Sequence, residues 1–182
     1  MKILETGFPG LVIIKPSVFH DSRGYFFESY NERELSGHGI NFKPVQDNES
    51  KSSRGVIRGL HYQLNPFAQA KLIRVVEGKI FDVVLDLRKD SVTYGKWFGT
   101  ELNSETKDQF FIPAGFAHGF SVLSETAVIL YKCDSFYNAQ FERGISLRDP
   151  ELNIDWKLGD IDTIISEKDL KHPVFRDAEA NF

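Results

Sequence analysis

The sequence predicts a mainly β protein, a β-sandwich or β-barrel with a few short helices, formed by one domain over residues 1–182. Apolar and aromatic runs of strand length follow one another at short spacing, and turn signals separate them. Aromatic residues make up 13% of the chain, including 16 Phe, and aromatic side chains favour strands. Many short strands with little helical periodicity indicate a sandwich or barrel and not an α/β fold.

The predicted elements follow in chain order. A helix is expected to begin after the N-cap Asn31, with Glu34 at its third position, and another after Ser166 near the C-terminus. The predicted strands lie in the segments LVIIK (11–15), GYFFESY (24–30), VIRGLHY (56–62), KLIRVVEGKIFDVVLDLR (71–88), GKWFGTEL (95–102), QFFIPAG (109–115), GFSVLS (119–124) and TAVILYKC (126–133).

The segment 71–88 gives the strongest strand signal. Two strands flank Glu77-Gly78, which predicts a hairpin turn at this dipeptide. In the second strand the odd-numbered positions are all apolar, whereas Asp82 and Asp86 interrupt the even-numbered face. A small β-barrel holds a ligand in its mouth, so polar residues on such a mixed face are candidates to line the site.

Three other strands carry a polar residue in a row of core-like positions. His61 alternates with Ile57 and Gln63, Lys71 with Ile73 and Val75, and Tyr131 with Ile129 and Cys133. Each residue alone is better explained as a core polar group whose hydrogen bonds are made, or as a strand end that reaches solvent. Three such residues on adjacent predicted strands favour a ligand-binding site. Arg58 lies an odd number of positions from His61, so it shares that site only if Gly55 and Gly59 support a β-bulge.

Composition excludes several classes of function. The net charge of −4 argues against a nucleic-acid binder, although a local cluster of Arg and Lys suffices for a small anion. The single Cys133 excludes an internal disulfide and is compatible with a reducing compartment. With no leader-like start and no apolar run long enough to cross a bilayer, the chain is expected to be cytoplasmic and not bound to a membrane.

Two segments resemble the motifs of the cupin superfamily. Gly55 to His61 fits the start of the first motif, and PAGFAH (113–118) fits the second. Of the usual metal ligands only His61 and His118 remain, because Gln63 and Lys71 stand where further ligands are expected. An ammonium group has no lone pair for a metal, so we expect no metal at this site. His61 is then free to act as a base.

Longer motifs resemble the dTDP-4-dehydrorhamnose 3,5-epimerase family over nearly the whole chain. They are FHDSRGYFFESY (19–30), VQDNESKSSRGVIRGLHYQ (45–63), QAKLIRVVEGKIFDVVLDLRKDSVTYG (69–95), IPAGFAHGFSVLS (112–124) and DPELNIDW (149–156). The resemblance implies a cupin-type jelly roll and a nucleotide-sugar substrate, dTDP-4-dehydro-6-deoxy-D-glucose, which is epimerised at C3 and C5 through an enolate. It implies no cofactor, because the reaction needs no metal, nicotinamide or flavin. It also implies a homodimer in which the N-terminal segment reaches the partner's site.

The resemblance implies roles for individual residues. His61 matches the base, Asp169 the carboxylate that orients it, and Tyr131 the acid on the opposite side of the sugar. Lys71 matches the cation beside the C4 oxygen. The positions that match or suit substrate binding are Arg23, Phe27, Glu28, Gln46, Asp47, Asn48, Arg58, His118, Tyr137, Glu142 and Lys168. Within this set the arginines suit the diphosphate, and Phe27 and Tyr137 are candidates to stack on thymine.

Three alternatives remain open at the level of sequence. The first is an epimerase that inverts only C3 or only C5 of a related dTDP-4-keto-6-deoxy sugar. The second is a metal-dependent cupin oxygenase, which the missing ligands disfavour. The third is a non-catalytic module that binds dTDP-sugars, which would have no need of His61, Lys71 and Tyr131 together.

Overall fold

The computed structural model describes residues 1–182 and is built mainly from strands. The single α-helix, α1, covers Glu32–Gly37, and two 3-10 helices cover Asp169–Lys171 and Phe175–Asp177. The strands are β1 (Lys2–Glu5), β2 (Val12–Lys15), β3 (Phe19–Asp21), β4 (Gly24–Phe26), β5 (Gln46–Ser53), β6 (Ile57–Gln63), β7 (Lys71–Glu77), β8 (Lys79–Asp86), β9 (Trp97–Asn103), β10 (Gln109–Ile112), β11 (Phe116–Val122), β12 (Thr126–Cys133) and β13 (Glu142–Gly144).

Two antiparallel sheets form a β-sandwich. The six-stranded sheet has the order β1-β2-β10-β7-β12-β5, and the five-stranded sheet has the order β13-β6-β11-β8-β9. Neighbours in each sheet are often distant in sequence, as in a jelly roll. Strands β3 and β4 form a separate hairpin whose residues are all exposed. The predicted fold class is confirmed.

The predicted hairpin at Glu77-Gly78 is wrong. Strand β7 pairs with β10 and β12 in the six-stranded sheet, whereas β8 pairs with β11 and β9 in the five-stranded sheet. Gly78 has a positive φ of 78° and carries the chain across from one sheet to the other. Alternation identifies two strands and the turn between them, but it does not show whether those strands pair with each other.

The mixed face of β8 faces the opposite sheet. Ile80 and Val84 join Ile73 and Ile129 of the six-stranded sheet in the main apolar core. The wholly apolar face of β8 points the other way and packs in a second cluster, where part of the C-terminal segment covers it. Both faces of β8 are therefore buried, and the two carboxylates on the mixed face lie inside the sandwich.

The first predicted helix is confirmed, and the second forms differently. The Asn31 side chain accepts a hydrogen bond from the Glu34 N–H at 3.2 Å, and α1 begins at the next residue. The Ser166 hydroxyl accepts from the Asp169 N–H at 3.1 Å, but only a 3-10 turn follows. Pro173 prevents an α-helix there, because a residue that precedes proline avoids the helical conformation. None of the helices has the length and apolar character required to span a membrane.

Candidate active site

A cavity of about 510 Å³ opens between the two sheets. Strands β6 and β11 of the five-stranded sheet contribute His61 and His118, and β7 and β12 of the six-stranded sheet contribute Lys71 and Tyr131. The polar residues of the lining include Ser50, Arg58, His61, Lys71, His118, Tyr131, Ser166, Lys168 and Asp169. The predicted polar positions therefore meet in one place. Their strands are not all adjacent as predicted, because β7 and β12 pair in one sheet and β6 lies in the other.

His61 and Asp169 form a hydrogen-bonded pair. The His61 Nε2 atom lies 2.8 Å from Asp169 Oδ1, and the Asp169 side chain is only 5% exposed. Burial alone would raise the pKa of Asp169, but the hydrogen bonds from His61 and from the Gly59 N–H lower it. The carboxylate is thus ionised and accepts the Nε2–H, which leaves the lone pair of the neutral imidazole on Nδ1.

A β-bulge at Gly59 brings Arg58 into the cavity. The register between β6 and β11 shifts between His118 and Phe120, and Gly59 has a φ of 128°. A Cβ at Gly59 would come within 2.5 Å of the Gly119 backbone, so the two strands approach closely only because both residues are glycine. The Arg58 Nε donates to the Ser52 hydroxyl at 3.0 Å. The predicted bulge is confirmed.

The same bulge makes one prediction wrong. Ile57 was expected to share the face of His61, but it packs with Leu147 and Leu158 in an apolar cluster outside the sandwich core. The extra residue in the bulged strand reverses the alternation before Gly59 relative to the residues after it.

Lys71 and Tyr131 lie on neighbouring strands. Tyr131 pairs in register with Ile73, two residues beyond Lys71. Burial lowers the pKa of Lys71, while Cys133, Asp82 and Glu142 oppose this shift. Burial also raises the pKa of Tyr131, so its hydroxyl remains protonated. No carboxylate lies within ion-pair distance of the Lys71 ammonium, which leaves its protons available to a ligand.

A second histidine–carboxylate pair lies deeper in the cavity. The His118 Nε2 is 2.9 Å from Oδ1 of the fully buried Asp82. Burial lowers the pKa of His118, and the Asp82 carboxylate opposes this shift. The mixed face of β8 made Asp82 a candidate to line the site, but its pairing with His118 was not predicted. The second carboxyl oxygen of Asp82 has no hydrogen-bond partner.

A smaller cavity of about 140 Å³ continues from the first and holds several predicted substrate-binding residues. Glu142 Oε2 accepts hydrogen bonds from the Tyr137 hydroxyl at 2.8 Å and from the Lys168 ammonium at 2.6 Å. The Tyr137 N–H donates to Gln46 Oε1 at 2.9 Å. Asn48 lines the same cavity.

Four of the predicted binding residues lie away from this cavity in their own chain. Asp47 points to the outer face of the six-stranded sheet, where it pairs with Lys132 at 2.6 Å, because β5 alternates between the two faces. Arg23, 87% exposed, pairs with Asp21 in the β3–β4 hairpin. Phe27 packs beneath Arg74, and the exposed Glu28 lies beside Asn31. A site that these four residues share with His61 is therefore not formed within one chain.

Two sheets that close around a cavity of acid and base side chains define a cupin-type enzyme of the proton-transfer class. Residues 5–177 match the family model described as dTDP-4-dehydrorhamnose 3,5-epimerase, and the chain belongs to this family. A relative from Pseudomonas aeruginosa with that name is 51% identical over 182 residues, or 98% of each chain.

Two solved structures extend the similarity to three dimensions. The dTDP-4-dehydrorhamnose 3,5-epimerase from Elizabethkingia anophelis is 53% identical, with a TM-score of 0.92 and 97% of each chain covered. The dTDP-6-deoxy-D-glucose-3,5-epimerase RmlC from Legionella pneumophila, in complex with dTDP-4-keto-L-rhamnose, is 44% identical, with a TM-score of 0.91. The match covers 95% of the present chain and 92% of the Legionella chain.

Proposed function

We propose that the protein converts dTDP-4-dehydro-6-deoxy-D-glucose into dTDP-4-dehydro-L-rhamnose by epimerisation at C3 and C5. The C4 ketone acidifies the hydrogens on both neighbouring carbons, so an enolate is accessible at each in turn. The reaction exchanges protons only, and it requires no metal, nicotinamide or flavin. The names and the bound ligand of the similar proteins support this substrate.

The observation that carries the proposal is the placement of His61 and Tyr131 on opposite sheets. His61 projects from β6 and Tyr131 from β12, and both line the same cavity. A single base returns a proton to the face from which it came. A sugar ring held between the sheets meets a base on one face and an acid on the other, and this arrangement inverts a carbon.

Each inversion uses the same sequence of proton transfers. His61 removes the proton from the carbon, and the electron pair of the broken C–H bond moves into the enolate, which places negative charge on the C4 oxygen. Lys71 stabilises that charge from its buried position. Tyr131 then donates its proton to the opposite face of the carbon, and the ketone re-forms. Solvent takes the proton from His61 and restores the one on Tyr131.

Incubation with dTDP-4-dehydro-6-deoxy-D-glucose in deuterated water tests the reaction. We expect NMR to show deuterium at both C3 and C5 together with inverted product. Deuterium at one carbon would identify a mono-epimerase, and binding without exchange would identify a non-catalytic dTDP-sugar module. Either result would overturn the proposed double epimerisation.

Replacement of Arg58 by Ala should weaken substrate binding. A charge-assisted contact to phosphate contributes about 1.5–3 kcal/mol, so we expect KM to rise roughly tenfold to a hundredfold with a smaller change in kcat. Steady-state kinetics measure both constants. Arg54→Ala is the matched control, because Arg54 is exposed, pairs with Glu125 and lies outside the cavity. Equal KM values for the two variants would remove Arg58 from the diphosphate site.

The proposal includes a homodimer with exchange of the N-terminal segment. The β3–β4 hairpin exposes Phe19 at 64% and Phe26 at 66%, an apolar surface that a partner subunit would cover. Arg23 sits at the turn of this hairpin, away from the cavity of its own chain. Exchange of the segment would bring Arg23, Phe27 and Glu28 to the partner's site and supply the charge and the aromatic ring expected there.

Mixing two inactive variants tests this exchange. Arg23→Ala and His61→Asn each remove one residue of the site. We expect activity to return when the two variants are mixed and allowed to form mixed dimers. In a mixed dimer, the site that keeps His61 receives Arg23 from the other chain. Sedimentation should show a dimer for both variants. A monomer, or no recovery in the mixture, would contradict segment exchange.

A cytoplasmic location is also part of the proposal. Cys133 is the single cysteine of the chain, and its thiol is buried. Burial raises the pKa of this thiol to about 11, which keeps it protonated and unreactive. Such a cysteine is compatible with a reducing compartment.

A further inference from the structure

His172 lies beside the catalytic pair without a partner of its own. Its ring packs edge-on against His61, with ring centroids 5.6 Å apart and an interplanar angle of 79°. The side chain is only 13% exposed, and its Nε2 atom is buried with no hydrogen-bond partner. Gly144 leaves room for the ring, since a Cβ at this position would overlap the imidazole.

Three potential ligand atoms converge at this point. His61 Nε2 and His172 Nε2 lie 2.8 Å and 3.6 Å from Asp169 Oδ1, and all three atoms fall within 4.8 Å of one another. Tetrahedral zinc holds nitrogen and oxygen ligands at about 2.0–2.2 Å, which separates the ligand atoms by roughly 3.3–3.6 Å. Small movements of the side chains would therefore satisfy zinc geometry.

We propose that His61, Asp169 and His172 bind one Zn²⁺ ion and that the bound ion inhibits the enzyme. Two imidazoles and one carboxylate match the ligand number of zinc sites that keep a fourth position open, and two of the three residues, His61 and Asp169, line the cavity. This set differs from the ligand set of metal-dependent cupins, in which the positions of Gln63 and Lys71 would contribute.

The charges around the three ligands limit the affinity for Zn²⁺, so that a chelator can remove the ion. Asp169 supplies the negative charge of the site, and the nearby Glu142 is already paired with Lys168 at 2.6 Å. Lys71 and Arg58 line the same cavity, and their positive charges reduce the affinity for a dication.

Metal binding removes the base. A neutral imidazole has one lone pair, and coordination of Nε2 to zinc shifts the proton of His61 to Nδ1. The nitrogen that would abstract the substrate proton then carries a hydrogen. The inhibition rests on the proposed function, whereas the binding of zinc does not depend on it.

Titration of the EDTA-treated protein with Zn²⁺ tests both parts. Competition with a chromophoric chelator should show one Zn²⁺ ion bound per chain, and deuterium exchange into the substrate should fall in parallel. Added EDTA should restore exchange, and EDTA should not lower the activity of metal-free protein. Because histidine ligands must be deprotonated, inhibition should weaken as the pH falls below neutrality.

Variants of His172 locate the site. His172→Phe keeps an aromatic edge against His61 but has no ligand atom, and His172→Ala removes the ring. We expect at least a tenfold loss of Zn²⁺ affinity and of zinc inhibition in both, each compared with its own metal-free rate. His38→Ala, which changes an exposed histidine, should bind Zn²⁺ like the unmodified protein.

Each outcome bears on a separate part of the proposal. Unchanged Zn²⁺ affinity in both His172 variants would overturn the site and point to another pair such as His118 and Asp82. Tight binding without loss of exchange would overturn the inhibition. If metal-free protein bound Zn²⁺ through His172 but never exchanged protons, the proposed function would fail while the metal site remained.

Discussion

His61→Asn is expected to lower turnover by roughly 10²–10⁴, the usual contribution of a general base. Asparagine has nearly the shape of the imidazole's inner half, but its amide ends short of the Nε2 position that lies 2.8 Å from Asp169 Oδ1. It cannot take up a proton. We therefore expect the cavity and the affinity for dTDP to persist while deuterium exchange at both C3 and C5 falls together with turnover.

Three measurements distinguish loss of the base from loss of the fold. Calorimetry with dTDP reports binding, NMR in deuterated water reports exchange, and thermal unfolding reports stability. His38→Asn is the control, since His38 is an exposed residue at the end of α1. Full activity in His61→Asn would mean that His61 is only a polar core residue.

Tyr131→Phe is expected to separate exchange from inversion. The variant keeps His61, so proton abstraction and the return of deuterium to the same face continue. The other face loses its proton donor, and formation of inverted product should fall by roughly 10²–10⁴. The ratio of exchange to inversion should therefore rise in Tyr131→Phe and remain unchanged in His61→Asn.

One NMR time course gives both rates, because deuterium content and ring configuration are read from the same spectra. Tyr94→Phe serves as the matched control, since Tyr94 is exposed and its ring contacts Phe175 outside the cavity. Equal losses of exchange and inversion in Tyr131→Phe would refute the assignment of base and acid to opposite faces.

Alternation along the strands predicted the walls of the cavity. Lys71 and Tyr131 each lie in a row with core residues, and both point into the sandwich as expected. Hydrophobic burial enforces this pattern, because a shift of one residue would expose an entire apolar face. The glycines on either side of Arg58 also predicted the bulge, and one of them, Gly59, meets Gly119 where β6 and β11 approach closely.

Features that depend on distant parts of the chain were not predictable in this way. The partners of β7 and β8 are set by the packing of the whole sandwich, so the dipeptide Glu77-Gly78 resembled a hairpin although it joins two sheets. The position of His172 is fixed by a 3-10 turn and by the space above Gly144. No periodic pattern in the C-terminal segment indicates the 3-10 turn or the space above Gly144.

Asp47 shows that a motif match does not predict which way a side chain points. It lies between two residues that face the smaller cavity, and strict alternation in β5 sends its side chain to the other surface. A motif match identifies residue types but not the directions of their side chains. Neighbouring residues of one motif therefore lie on different surfaces of the sheet.

The apolar layer between the two sheets sets the distance between the site residues that the sheets carry. Face-to-face sheets pack about 10 Å apart, and the side chains between them set this thickness. Ile73, Ile129 and Phe120 belong to that layer and lie on the same strands as Lys71, Tyr131 and His118, respectively. The distance between the proton-donating and proton-accepting side chains on the two sheets therefore depends on the volume of these apolar side chains. Their size determines how thick a sugar ring fits between the sheets.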